Sequence, residues 1–109
     1  MNIQTEIQNN MLIFTLNGEV DMYQTAEIRN QLDELLSTNS GIEHILFDCT
    51  AVKYMDSSGV GLFVTVRNRM KKQGIRFSLC GLRDQVKKLF ELSAISSLFT
   101  VFPKRSDVV

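Results

Sequence analysis

Apolar residues in this chain change their spacing several times, and this change limits the fold more than any other feature of the sequence. Leu12, Phe14 and Leu16 recur at every second position, which predicts a strand with one buried face. Between residues 28 and 36 the apolar positions recur at every third or fourth residue, which predicts an amphipathic helix over residues 23–37. Residues 45–47 are a continuous apolar run, typical of a strand covered on both faces.

The first residues predict a β-hairpin over residues 2–17. Ile3, Thr5 and Ile7 alternate with polar residues, which indicates a strand with one buried face. Asn9 and Asn10 follow, and asparagine tolerates the positive φ angles that a tight two-residue turn requires. The chain after the turn is the strand described above, so the two strands are expected to pair.

The second half of the chain continues the alternation of strands and helices. After a predicted loop through Thr50 and Lys53, the spacing indicates a helix over residues 57–73, a strand through residues 77–80 and a last strand over residues 98–102. A third helix is predicted from Leu82, Val86, Leu89 and Phe90, and the residues from Pro103 onward are expected to form a loose tail. This order predicts an α/β fold with a mostly parallel sheet of four to five strands and right-handed crossovers.

Length and composition restrict the class of protein. The 109 residues suffice for a single domain, 1–109, and the 12 basic and 12 acidic side chains cancel, which argues against direct nucleic-acid binding. No apolar run approaches the roughly 20 residues of a membrane span, and no secretion signal is recognisable at the N-terminus. Cys49 and Cys80 fit no metal or redox spacing and are expected to be reduced core thiols, so the predicted location is the cytoplasm.

The segment Asp56-Ser57-Ser58-Gly59 lies where a loop is predicted to enter the second helix. Aspartate and serine are preferred N-caps, because their oxygens accept hydrogen bonds from the unpaired first amides of a helix. Gly59 and Gly61 are costly in a helix, by about 1 kcal/mol each relative to alanine, which suggests that bulk is unwelcome there. The segment is therefore either a well-capped helix start or a site at which Ser57 could carry a phosphate.

The octapeptide from Met55 to Leu62, Met-Asp-Ser-Ser-Gly-Val-Gly-Leu, resembles the signature of the bacterial anti-sigma factor antagonists, which consist of a single STAS domain. Three further segments are similar to motifs of that family, in order and at similar spacing: Gly-Glu-Val-Asp at residues 18–21, Lys-Lys-Gln-Gly at 71–74 and Val-Lys-Lys-Leu-Phe-Glu-Leu-Ser at 86–93. The resemblance covers nearly the whole chain.

This resemblance implies a partner-switching function. In the family, the unphosphorylated protein binds an anti-sigma factor that is also a serine kinase, and this binding releases a sigma factor. The kinase phosphorylates the serine after the aspartate, the complex separates, and a PP2C-type phosphatase restores the antagonist. Carried over, Ser57 is the expected phosphorylation site, with Ser58 as the second choice. The expected partner-binding residues are Glu19, Asp21, Asp56, Ser57, Ser58 and Gly59. Glu19 and Asp21 can equally be explained as a strand-to-helix turn in which Asp21 is the N-cap.

Two other functions compete with the switch. A hydrolase with Ser57 as nucleophile would need a base, but the only histidine is His44, and Met55 replaces the glycine of a nucleophile elbow. Gly59 and Gly61 lack the third glycine of a dinucleotide fingerprint, so we expect no catalytic residues, no cofactor and no metal. The other alternative is a STAS regulatory or scaffold subunit of a stress-signalling complex or a lipid transporter.

Overall fold

The computed structural model describes residues 2–108, which form one five-stranded sheet and three α-helices. The strands are β1 (Asn2–Gln8), β2 (Met11–Val20), β3 (His44–Met55), β4 (Arg76–Cys80) and β5 (Thr100–Phe102). The helices are α1 (Met22–Thr38), α2 (Ser57–Lys72) and α3 (Asp84–Leu92), and short 3-10 turns occupy Ser96–Leu98 and Arg105–Asp107.

The strands lie in the sheet in their sequence order. β1 is antiparallel to β2, and β2, β3, β4 and β5 are parallel to one another. Successive right-handed crossovers between neighbouring parallel strands place α1, α2 and α3 on the same face of the sheet, here called the helical face. The opposite side is called the far face. The predicted α/β fold with a hairpin and a mostly parallel sheet is confirmed.

The hairpin turn at Asn9 and Asn10 has the predicted geometry. Their φ angles are 50° and 67°, and Gln8 pairs with Met11 across the turn. The predicted buried face of β1 is wrong in part, because Thr5 is exposed and Ile7 is 44% exposed. β1 is the edge strand, so the helical layer covers little of it.

The main core lies between the sheet and the helices, with a row of aromatic rings at its centre. Phe47 of β3 contacts Phe14 of β2 and Phe63 of α2, with ring centroids 5.2 Å and 5.1 Å apart. Phe63 in turn contacts Phe90 of α3 at 5.9 Å, and all four rings are buried. Tilted and edge-on pairs of this kind add about 0.5–1.5 kcal/mol each beyond the burial of their area.

Several predicted boundaries differ from the structure. The predicted loop through Thr50 and Lys53 is wrong: β3 runs unbroken to Met55, because β2 extends beside it as far as Val20. Leu82 precedes α3 rather than belonging to it, since the chain must first turn at Gly81. The last strand begins at residue 100 rather than 98, and α2 ends at residue 72 rather than 73.

The predicted loose tail is also wrong, because residues 105–108 pack on the far face. Ile13, Leu46 and Cys80 form a second, smaller apolar cluster there, and Val108 packs against it. Cys49 is buried as well, and both cysteines are free thiols, as predicted. Residues 45–47 are therefore buried on both faces, by helices on one side and by the C-terminal residues on the other.

Candidate functional site

The predicted site lies at the carboxyl edge of the sheet, where β2 and β3 end side by side. Val20 pairs with Met55 in the parallel register, and the next residue of each strand is an aspartate. The Asp56 amide donates to the Val20 carbonyl oxygen at 3.3 Å, so the starts of α1 and α2 are joined directly. Asp21 and Asp56 are the N-caps of these two helices, and positive helix ends therefore meet at one edge.

Asp56 holds the first turn of α2 through one carboxylate oxygen. Its Oδ1 accepts hydrogen bonds from the amides of Ser58 at 2.9 Å and Gly59 at 3.3 Å, and from Ser58 Oγ at 2.5 Å. The bond from the Ser58 hydroxyl, together with those from the two amides, holds the pKa of Asp56 below its ordinary value, against the opposing effect of desolvation. Asp56 is therefore a fixed negative charge beside Ser57.

The two serines of the predicted site have different surroundings. Ser58 is partly buried, and its hydroxyl donates a hydrogen bond to Asp56. Ser57 is the exposed first residue of α2, and within residues 2–108 no protein group forms a hydrogen bond with its hydroxyl. Ser57 Oγ is thus the hydroxyl that an outside protein can reach.

The first amides of α2 are less available than the sequence indicates. The Ser58 and Gly59 amides are directed at Asp56 Oδ1, and the Gly59 and Val60 amides also reach the Asp56 carbonyl oxygen. A phosphate on Ser57 would therefore gain mainly from the helix dipole and would remain at the surface beside the Asp56 carboxylate.

The two glycines of α2 have different surroundings. A Cβ on Gly59 would lie 2.4 Å from Met55 Cγ and 3.1 Å from Val20 Cγ1, so this buried glycine allows α2 to pack on the ends of β2 and β3. Gly61 is exposed, and a Cβ there would meet nothing within 4 Å. The packing explanation therefore accounts for Gly59 and not for Gly61.

Glu19 and Asp21 flank this edge in different ways. Glu19 is exposed near the end of β2 and is registered with Tyr54 of β3. Asp21 caps α1, and its Oδ1 accepts from the Tyr23 amide at 2.9 Å and the Gln24 amide at 3.3 Å. Asp21 thus has a structural role whether or not it touches a partner.

Three exposed hydrophobic or aromatic side chains near the site were missed by the sequence reasoning. Met22 is 65% exposed, Tyr23 77% and Tyr54 46%, and each lies within three residues of the Val20–Met55 pair. Exposed tyrosine and methionine side chains are typical of protein interfaces. In the sequence, Met22 and Tyr23 are two large apolar or aromatic residues between the polar residues Asp21 and Gln24, and this interruption is the signal that could have identified them.

The hydrolase alternative is not supported by the position of His44. This residue begins β3 at the amino edge of the sheet, whereas Ser57 follows the carboxyl end of the same strand. His44 is buried, its Nε2 lies 2.8 Å from Ser78 Oγ, and Arg76 lies 3.2 Å from its Nδ1. It is therefore an internal polar residue with partners of its own.

Residues 2–108 contain neither a membrane-spanning helix nor a cluster of metal-binding side chains. No helix in that part of the chain is long and apolar enough to cross a membrane. The same residues contain no group of three or more His, Cys, Asp and Glu side chains placed to hold a metal ion.

Comparison with known proteins gives relatives along nearly the full chain. The Anti-sigma F factor antagonist of Paenibacillus polymyxa is 27% identical over 104 residues, which cover 94% of this chain and 88% of the relative. The Anti-sigma-B factor antagonist of Staphylococcus aureus strain NCTC 8325 is 29% identical over 101 residues, covering 93% of this chain and 92% of the relative. Anti-sigma factor antagonists are regulators rather than enzymes, in agreement with the expectation that this chain is not an enzyme.

The fold is shared with a solved antagonist. The anti-sigma factor antagonist SpoIIAA in its unphosphorylated form matches with a TM-score of 0.81 at 21% identity, over 97% of this chain and 92% of that one. The phosphorylated form of SpoIIAA, from Bacillus, matches with a TM-score of 0.75 at 20% identity, over 97% and 96%. The STAS domain family model matches residues 2–108. The chain therefore belongs to the STAS domain family, and its full-length relatives group it with the anti-sigma factor antagonists.

Proposed function

We propose that this chain is a phosphorylation-controlled antagonist of an anti-sigma factor that is itself a serine kinase. The observation that carries the proposal is the exposed Ser57 hydroxyl at the start of α2. The neighbouring Ser58 hydroxyl, by contrast, already donates a hydrogen bond to Asp56. The unphosphorylated protein binds the kinase and so frees a sigma factor. Phosphorylation of Ser57 ends the binding, and a PP2C-type phosphatase restores it. We expect this cycle in the cytoplasm, where ATP is available to the kinase.

The docking surface proposed for the kinase surrounds Ser57. It comprises the residues expected from the sequence, Glu19, Asp21, Asp56, Ser57, Ser58 and Gly59, extended by Met22, Tyr23 and Tyr54. The exposed apolar side chains would supply buried contact area, since a few tyrosine-like anchors dominate most interfaces. Gly59 is buried and would not contact the partner directly. It would contribute by allowing α2 to pack against the ends of the strands.

The electrostatics of the site explain how a phosphate could act without a large change of shape. A phosphoserine carries about −1.5 to −2 charges at neutral pH. At Ser57 this charge would stand beside the Asp56 carboxylate, to which the Ser58 and Gly59 amides are already bonded. A partner whose surface fits the neutral Ser57 hydroxyl would have to remove water from both the phosphate and the Asp56 carboxylate in order to bind. A penalty of about 3 kcal/mol would weaken binding more than about a hundredfold.

The proposal can be tested with the purified kinase-type anti-sigma factor of the same organism. We expect incubation with ATP to place one phosphate on Ser57, located by peptide mass spectrometry. Ser57→Asp should bind the unmodified kinase at least about a hundredfold more weakly than the wild type, with unchanged unfolding. Ser57→Ala should bind without being released by ATP.

Ser58→Ala is the matched control, since it removes the neighbouring hydroxyl and leaves Ser57 in place. Its starting affinity can fall, because Ser58 belongs to the proposed docking surface, but the kinase should still place the phosphate on Ser57, and that phosphate should still release the complex. A phosphate found only on Ser58, or equal binding by Ser57→Asp and wild type, would contradict the proposal. A phosphate on Ser58 alone would move the switch to that residue, whereas equal binding by Ser57→Asp and wild type would favour the second candidate, a STAS subunit of a stress-signalling complex or a lipid transporter.

A further inference from the structure

The far face of the sheet contains an arrangement of acceptors around a single guanidinium group. Arg105 Nε donates to Asp48 Oδ2 at 3.1 Å, and its NH1 donates to Glu6 Oε1 at 2.9 Å. Its NH2 donates to Thr15 Oγ1. Glu6, Thr15 and Asp48 belong to β1, β2 and β3, so one side chain bridges three neighbouring strands.

The three acceptors are held in place independently of Arg105. Asp48 has a side chain only 11% exposed, and its Oδ1 accepts from the Thr50 amide at 3.0 Å and the Thr50 hydroxyl at 2.7 Å. Its Oδ2 is thereby left for the guanidinium. Glu6 and Thr15 lie on strands whose register is fixed by the hairpin.

One residue on each side of Arg105 covers apolar surface, Phe102 before it and Val108 after it. Val108 packs against the cluster of Ile13, Leu46 and Cys80, each of which is 0% exposed. This cover belongs to the far face, whereas every helix packs on the other side of the sheet. Residues 105–108, here called the strap, therefore help to cover the far face, while the three α-helices of residues 2–108 pack on the helical face.

We propose that Glu6, Thr15 and Asp48 form a guanidinium-binding site on the far face, and that Arg105 in this site fastens the strap over Ile13, Leu46 and Cys80. The occupant is the chain's own C-terminal segment. A planar guanidinium fits three acceptors at once, and an ammonium group cannot present that fork of donors. The strap opens separately from the helical core when Arg105 leaves the site. This inference does not depend on the proposed function at Ser57.

The two buried cysteines provide a direct test. Cys80 lies under the strap, whereas Cys49 lies in the core on the helical face, so one molecule carries a probe and an internal reference. The full-length protein would be treated with iodoacetamide under native conditions, and the labelling of each cysteine followed by mass spectrometry. Arg105→Ala should accelerate the labelling of Cys80 by about tenfold or more and leave Cys49 unchanged.

Two further variants separate geometry from charge. Arg105→Lys keeps the positive charge but loses the fork, so Cys80 should become labelled nearly as fast as in Arg105→Ala. Lys104→Ala removes a neighbouring exposed cation and should label like the wild type. Full protection of Cys80 in Arg105→Lys would overturn the guanidinium site. Unchanged labelling in Arg105→Ala, or equal acceleration at Cys49 and Cys80, would overturn the separately opening strap.

Discussion

The side-chain amide of Gln85 pairs with both backbone polar groups of Met55. Met55 N donates to Gln85 Oε1 at 3.0 Å, and Gln85 Nε2 donates to the Met55 carbonyl oxygen at 2.9 Å. β4 ends at Cys80, opposite Asp48, so within residues 2–108 the last residues of β3 have no strand beside them on that side. Gln85, from the first turn of α3, takes the place of a strand at the residue directly before Asp56.

Removing the Gln85 amide should destabilise the fold and loosen the site. Gln85→Ala leaves the Met55 N–H and C=O without their partners, at a cost of about 1–3 kcal/mol. Chemical denaturation should show this loss. Gln31→Ala is the control, because within residues 2–108 the Gln31 side chain bonds only to Glu27, on the exposed surface of α1, and the loss of stability should stay within about 0.5 kcal/mol. Equal stability of the two variants would refute the strand-like role of Gln85.

The two glycines of α2 should respond to alanine in opposite ways. At Gly59 the new methyl group would lie 2.4 Å from Met55 Cγ, so Gly59→Ala should lower stability by about 1–3 kcal/mol. At Gly61 there is nothing within 4 Å, and Gly61→Ala should raise stability by up to about 1 kcal/mol. Thermal unfolding of both variants tests the pair. A stabilised Gly59→Ala would show that Met55 moves aside at little cost.

Features that depend on neighbouring residues could be predicted from the sequence. Asn9 and Asn10 indicated the hairpin turn because their tolerance of positive φ is a local property. Asp56 was recognised as an N-cap for the same reason, since a cap bonds to residues two and three positions ahead.

Features that join distant parts of the chain could not be predicted. Gln85 and Met55 are 30 residues apart, and Arg105 and Asp48 are 57 apart. No spacing or composition in the sequence indicates that the two residues of either pair are in contact. The sequence therefore predicts a loose tail and a loop at the end of β3, because the partners that order both segments come from distant parts of the chain.

The stability of the protein should fall as the pH decreases below about 6.5 because of His44. Burial, and then the positive charge of Arg76, lowers the pKa of His44 from its ordinary value of 6.5. As the pH falls, His44 therefore binds its proton at a higher pH in the unfolded chain than in the folded protein. The contribution of His44 to the free energy of unfolding is fully present above about pH 6.5 and is lost as the pH falls from there toward the pKa of the folded protein. Asp48 and Asp56 have lowered pKa values, so the stability that they contribute is present above about pH 4 and is lost only as the pH falls below that value.

Urea denaturation between about pH 7 and pH 5 isolates this effect. His44→Gln can keep a hydrogen bond to Ser78 but does not titrate, so its stability should change less across that range than that of the wild type. An identical pH dependence in both proteins would assign the loss to other groups.

Tyr23 should contribute to binding without contributing to stability. Its side chain is 77% exposed at the start of α1, close to the edge that carries Ser57, and nothing in its exposure suggests a role in the core. If the anti-sigma factor docks at this edge, Tyr23→Ala should weaken binding about tenfold or more, as measured by titration calorimetry, and leave unfolding unchanged. Leu92→Ala is the matched control: Leu92 is 80% exposed but ends α3 near the amino edge of the sheet, so binding should persist. Equal affinities of Tyr23→Ala and wild type, alongside lost binding in Ser57→Asp, would place the partner on the α2 side of the edge alone.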